Sequence, residues 1–183
     1  MTVVTTLPYG RPLTRADLDL MPDDDGHRYE LIDGVLLVSP APVLPHQDMV
    51  GNLYLLLRAA CTDEYKVVLA PFDTVLADDT VIQPDLIVAR RDQLIRTELP
   101  GAPTLAVEVL SPSTRRFDQV LKRDRLQSAG VGSFWLVDPE EPSITVLELQ
   151  DGVLVETGRA VGDEVLEVAQ PFAMRIVPSQ LRD

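Results

Sequence analysis

Leu105-Ala106-Val107-Glu108-Val109-Leu110 holds one charged residue in an otherwise apolar run. Its length and composition predict a strand over residues 104–110, and apolar side chains at both alternations place that strand inside a sheet covered on both faces. An ionised carboxylate in such a place is costly unless it is paired, protonated or bound to a metal. Glu108 therefore needs a partner. Upstream, Asp85 sits between Pro84 and Leu86-Ile87-Val88, at the entrance to a second apolar strand over residues 85–89. Two acids so placed suggest one shared site.

Carboxylates that converge from neighbouring strands repel each other, and a hard divalent cation resolves the repulsion while leaving positions open for water and a phosphate oxygen. Cys61 is the only cysteine, which excludes an intrachain disulfide and a multi-cysteine zinc site, and His27 and His46 are the only histidines. A metal would need oxygen ligands, for which magnesium or manganese is the best match. A nearby lysine could orient the metal-bound water or stabilise developing charge, and Lys122 is the candidate. The same residues also read structurally: Asp85 as a strand-start acid bonding backbone amides, Glu108 as half of a buried ion pair with Lys122, and Lys122 as the surface partner of Asp118 four residues earlier.

Around these residues the chain reads as one domain over 1–183, with residues 1–10 an extended arm. A short helix starts at Thr14, and the acidic run 23–25 is loop. Residues 28–32 and 35–39 flank Asp33-Gly34, a strong hairpin signature. Met49, Val50, Leu53, Leu56, Leu57 and Ala60 recur at helical spacing over 46–61, and strands are predicted at 66–70 and 73–77. A second helix over 114–129, capped by Ser111 or Ser113 and closed by Gly130, is expected to turn Phe117, Val120 and Leu121 to the core. Strands follow at 133–138 and 144–149, then weaker ones at 153–157 and 164–168, and a terminal turn at 178–181.

Tyr29-Glu30-Leu31-Ile32-Asp33-Gly34, Gln83-Pro84-Asp85-Leu86, Val107-Glu108-Val109-Leu110-Ser111-Pro112-Ser113-Thr114, Asp118 with Lys122, and the segment from Gly130 to Pro139 resemble, in order and spacing, the Uma-two family of bacterial endonucleases. The resemblance spans nearly the whole chain. It implies the restriction-endonuclease-like α/β fold of the PD-(D/E)XK nuclease superfamily: a central mixed sheet flanked by helices, with an N-terminal hairpin and additional C-terminal strands. It further implies that Asp85 and Glu108 are the metal acids, that Val109 offers its backbone carbonyl to the metal, and that Glu30 is an accessory acid acting through water or through Lys122. Leu110 stands where many superfamily members carry lysine, so the resemblance assigns that role to Lys122 on the following helix. Leu126 replaces a tyrosine common in the family four residues after that lysine. His46 and Gln47 match a His-Gln pair at the start of the family's first long helix, where a structural role for His46 outweighs that of a base.

The implied activity is metal-dependent hydrolysis of nucleic-acid phosphodiesters, with DNA favoured over RNA. A net charge of −13 argues the other way, because it repels a phosphate backbone unless positive charge is gathered locally. Arg115, Arg116, Lys122, Arg123 and Arg125 fall in one stretch, and Arg115, Arg116 and Arg123 are the candidate substrate contacts. That stretch also fits a solvated helix of alternating charge. A non-catalytic regulatory or interaction protein that retains the fold is the alternative function. No run of about 18 apolar residues or export leader is present, so the cytoplasm is the expected location and no membrane partner is expected. The apolar C-terminal strands suggest a homodimer surface.

Overall fold

The segment around Glu108 is a strand, Leu105–Val109, and all of it is buried. The computed structural model describes residues 7–22, 26–111 and 115–182. The N-terminal part consists of a one-turn helix α1 (Arg15–Leu18), a hairpin β1 (His27–Ile32) and β2 (Val35–Pro40), and the long helix α2 (Leu44–Ala60). Strands β3 (Tyr65–Leu69), β4 (Asp73–Ala77), β5 (Thr80–Ile82), β6 (Leu86–Arg90), β7 (Glu98–Pro100) and β8 (Leu105–Val109) follow. A π-helical turn, Phe117–Lys122, runs directly into α3 (Arg123–Ala129). The remainder is β9 (Ser133–Asp138), β10 (Ser143–Gln150), β11 (Val153–Val161), β12 (Leu166–Val168), β13 (Met174–Ile176) and a 3₁₀ turn (Pro178–Leu181).

β8 lies within a six-stranded mixed sheet of order β11-β10-β9-β8-β6-β3. Its pairing with β9 is parallel and its pairing with β6 antiparallel. A parallel neighbour requires a crossover, which is why the helical segment carrying Lys122 lies between β8 and β9 in the chain. On one face of the sheet Met49, Leu53 and Leu57 of α2 pack on Leu86, Val88, Leu105, Val107, Val109 and Trp135. These α2 side chains are wholly buried, each contributing roughly 1.5–3 kcal/mol through burial. On the other face Ala106 and Phe134 meet Leu126 of α3 together with Ile32 and Ile82.

Ile32 and Ile82 belong to a second sheet, five-stranded, of order β2-β1-β5-β4-β7. The expected hairpin is its edge, and the Asp33-Gly34 turn has positive φ at both residues, 52° and 73°, as a type I′ turn requires. The three-residue strands β5, β7 and β13 are absent from the sequence reading; each is too short to show a period. The second helix also departs from expectation. Phe117, Val120 and Leu121 do not face the core but are 39%, 61% and 39% exposed, and Asp118, Lys122 and Leu126 are buried instead. Residues 1–6, the acidic run 23–25 and the proposed cap Ser113 lie outside the described residues.

Candidate active site

The register Leu86↔Val107 between β6 and β8, carried one step further, sets Asp85 opposite Glu108 on one face of the sheet. Both acids are buried. Asp85 Oδ2 accepts the Val109 N–H at 2.9 Å and lies 3.1 Å from His46 Nε2, while Oδ1 accepts from an Arg28 guanidinium nitrogen at 2.9 Å. Burial pushes the Asp85 carboxyl up, but the His46 hydrogen bond and the Arg28 charge outweigh it and hold the group at about 2. Asp85 is an anion at every physiological pH.

Glu108 is differently placed. Burial pushes its carboxyl well above the ordinary range, and Asp118, Asp85 and Glu30 push the same way against the opposing charge of Lys122. The ammonium of Lys122 is 2.9 Å from Glu30 Oε1, 3.0 Å from Glu108 Oε1 and 3.3 Å from Asp118 Oδ1. Desolvation alone would lower the Lys122 pKa, yet these three carboxylates raise it well above the usual lysine value. Glu30 is itself fixed, because Oε1 also accepts the backbone N–H of Gln83 at 2.7 Å.

The π turn explains how one short helix delivers both Asp118 and Lys122. Successive side chains at i, i+4 in an α-helix drift by about 40° around the axis, so Asp118, Lys122 and Leu126 would spread over the surface. The wider π winding up to Lys122 cancels part of that drift and keeps the three on the buried side. Single π turns inside helices are frequent at functional sites. The surface pair of Asp118 and Lys122, one of the alternatives open in the sequence, is not what the fold contains: both are buried, with Glu30 and Glu108 beside Lys122.

Asp85, Glu108, Lys122, Glu30 and Val109 thus line one recess of about 150 Å³, together with Arg28, His46 and Asp118. Among the described residues no three His, Cys, Asp or Glu side chains form a ready-made metal cage. Magnesium does not need one, since it usually keeps several waters and takes one or two carboxylates from the protein. The charge of the recess fits such an ion: four carboxylates face two permanent cations, Arg28 and Lys122. Arg28 was not anticipated; its place two residues before Glu30, on the same side of β1, was the available signal. His46 Nδ1 is buried with no hydrogen-bond partner among the described residues.

Of the basic stretch only Lys122 lines the recess; the arginines do not. An Arg115 guanidinium nitrogen is 2.7 Å from Asp138 Oδ2, Arg123 donates to the Leu154 carbonyl at 2.8 Å, and Arg125 is 3.5 Å from Asp33. Arg116 is exposed. Leu126, in the place of the family tyrosine, is buried against the second sheet, and Leu110, in the place of the strand lysine, is also buried.

A mixed sheet with two acids on adjacent strands and a lysine on the crossover helix defines the restriction-endonuclease-like fold. A solved structure shares it: a "putative nuclease belonging to DUF820" from Anabaena variabilis superposes with a TM-score of 0.73 at 20% identity, over 93% of this chain and 97% of that one. The chain belongs to the Uma2 family, whose description is "Putative restriction endonuclease", with residues 15–177 matching the family model. None of the curated proteins compared with the chain matches it. No helix among the described residues is long and apolar enough to cross a membrane.

Proposed function

We propose that this nuclease-family chain is a divalent-metal-dependent endonuclease that hydrolyses phosphodiester bonds, with DNA as its principal substrate. The observation that carries the reading is the recess in which Asp85, Glu108 and Lys122, from three separate parts of the chain, meet with four carboxyl groups set against two cations. Magnesium or manganese, when held by Asp85, Glu108 and the Val109 carbonyl, would supply polarisation of a phosphoryl oxygen and a more acidic water.

The chain's own residues do the rest. Arg28 and His46 keep Asp85 ionised and fixed. Glu30 and Asp118 hold the Lys122 ammonium beside Glu108, where it orients the attacking water and balances charge growing on the phosphoryl oxygens. Water oxygen bonds to phosphorus in line with the departing oxygen and releases a proton to solvent, the phosphorus–oxygen bond of the leaving strand breaks, and that oxygen takes up a proton from solvent. Arg116, exposed beside the π turn, is the member of the predicted basic set most available to substrate. Two copies would suit cutting of both strands, and Val153, Val155 and Val165 are exposed for such pairing.

Net charge favours a second reading, a regulatory protein that keeps the fold and the metal without cleavage. The two separate in one experiment. Magnesium and manganese are titrated calorimetrically into the wild type and the Asp85→Ala/Glu108→Ala double variant, and the same samples are incubated with supercoiled and single-stranded DNA. Binding and cleavage that both vanish in the variant establish the nuclease; binding without cleavage of either DNA favours the regulator; binding that persists in the variant removes the metal assignment.

A further inference from the structure

A second group of cations lies away from the recess. Lys66 of β3 and Arg91 and Arg96 of the loop after β6 line a concavity of about 320 Å³, with Phe72, Val68, Leu94 and Ile95 as its apolar walls. No acid lines it. Among the described residues the side chains of Lys66 and Arg96 make no hydrogen bond or ion pair, and that of Arg91 uses only its Nε, on the Asp63 carbonyl at 2.8 Å. Of the acids close in sequence, Glu64 and Asp92 are taken by Arg90, and Glu98 by Arg15. In a chain of net charge −13, three exposed cations without an acidic partner are a feature that folding does not require, because each would be equally well solvated apart.

Its position relates it to the recess. Asp85, Ile87 and Ala89 alternate onto one side of β6, and Ile87 and Ala89 pack with Val68 and Phe72. Lys66 pairs with Ala89, so the cations lie on the same face as Asp85, four residues along the strand and on the order of 14 Å away. The β3–β4 turn connects the two. Its Ala70 and Pro71, with Asp73 at the start of β4, line a cleft of about 510 Å³ that adjoins the recess at Arg28, Pro40, Ala41 and Pro42, and Phe72 of the same turn reaches the cationic concavity.

We infer that Lys66, Arg91 and Arg96 bind backbone phosphates of the nucleic acid whose scissile phosphate enters the recess, about four nucleotides along at a rise of 3.4 Å each. The inference rests on the nuclease reading and adds substrate contacts to that offered by Arg116. Solvent-facing cations over an apolar floor suit a polyanion that slides past them and carries no sequence preference.

The test uses single-stranded oligonucleotides of twelve and three residues, a twelve-residue duplex, calcium in place of magnesium, and fluorescence anisotropy over a range of salt. Lys66→Ala/Arg96→Ala is compared with Arg159→Ala/Arg175→Ala, which makes the same change in net charge at exposed positions elsewhere. The expected result is about tenfold weaker binding of the twelve-mer by the first variant, with the slope of log K against log salt reduced by about 1.4, and wild-type binding of the trimer, which is too short to span both places. Equal losses in the two variants would overturn the inference while leaving cleavage by the wild type intact. A wild type that binds neither oligonucleotide, nor the twelve-residue duplex, would remove the nuclease reading itself. In that case a melting temperature raised by inorganic pyrophosphate in the wild type and not in Lys66→Ala/Arg96→Ala would assign the concavity to a free anion and overturn its assignment to a nucleic-acid backbone.

Discussion

At the scale of the residue, Asp85 and Glu108 show one side chain type driven in opposite directions by what surrounds it. Asp85, held at about 2 against an ordinary 3.8, stabilises the fold fully above the higher value and loses that contribution as pH falls through the lower one. The difference corresponds to about 2 kcal/mol. Unfolding free energies of wild type and Asp85→Asn, measured in urea without divalent metal, should therefore converge by about 2 kcal/mol between about pH 5 and about pH 2; a gap that stays constant would mean that Asp85 is not the anion described. Glu108 pulls the other way, since a folded-state value above the ordinary one makes its ionisation cost stability as pH rises. The sequence made both acids conspicuous because a charge in an apolar strand needs a partner. It could not reveal that Arg28 and His46 serve Asp85 alone or that one ammonium, that of Lys122, meets three carboxylates at once, since all of those contacts except the one with Asp118 join residues separated by 14 to 92 positions.

At the scale of the element, legibility followed length and period. The hairpin, α2, β8 and β9 stood out because turn chemistry or alternation repeats several times within each, whereas β5, β7 and β13 offer three residues apiece. The helix after β8 was recognised but its inner face was mistaken, because hydrophobic spacing ranks Phe117, Val120 and Leu121 above a lysine for burial. The acids of the recess reverse that ranking by giving Lys122 more in the interior than water would. The hairpin turn bears on the site as directly, since β1 carries both Arg28 and Glu30. At Gly34, φ is +73°, and a Cβ would lie 2.4 Å from the Cβ of Pro12. Gly34→Ala should cost about 2–4 kcal/mol, from the left-handed backbone and from the overlap together. Chemical denaturation should show the midpoint falling with the slope unchanged; a loss below about 0.5 kcal/mol would show that the N-terminal segment moves aside freely.

At the scale of the whole molecule, the surplus of acid is the property that sequence composition reports most plainly and explains least. A net charge of −13 counts every group alike, yet the four carboxyl groups of the recess, set against two cations, are buried and close, where screening by salt is weak, while most of the others face water. A divalent cation should therefore act on the fold through the recess and not through the general surface. Magnesium, manganese or calcium should raise the melting temperature of the wild type in a saturable way, adding about 2.7 kcal/mol at a concentration of 100 times the dissociation constant. Asp85→Asn/Glu108→Gln should lose that saturable part. Sodium chloride at matched ionic strength should affect wild type and variant alike, because it screens the outer charges that both retain. If the divalent ions raised both proteins equally, the surplus in the recess would be met by the protein's own protons, with Glu108 staying neutral, and the case for a metal between Asp85 and Glu108 would fail.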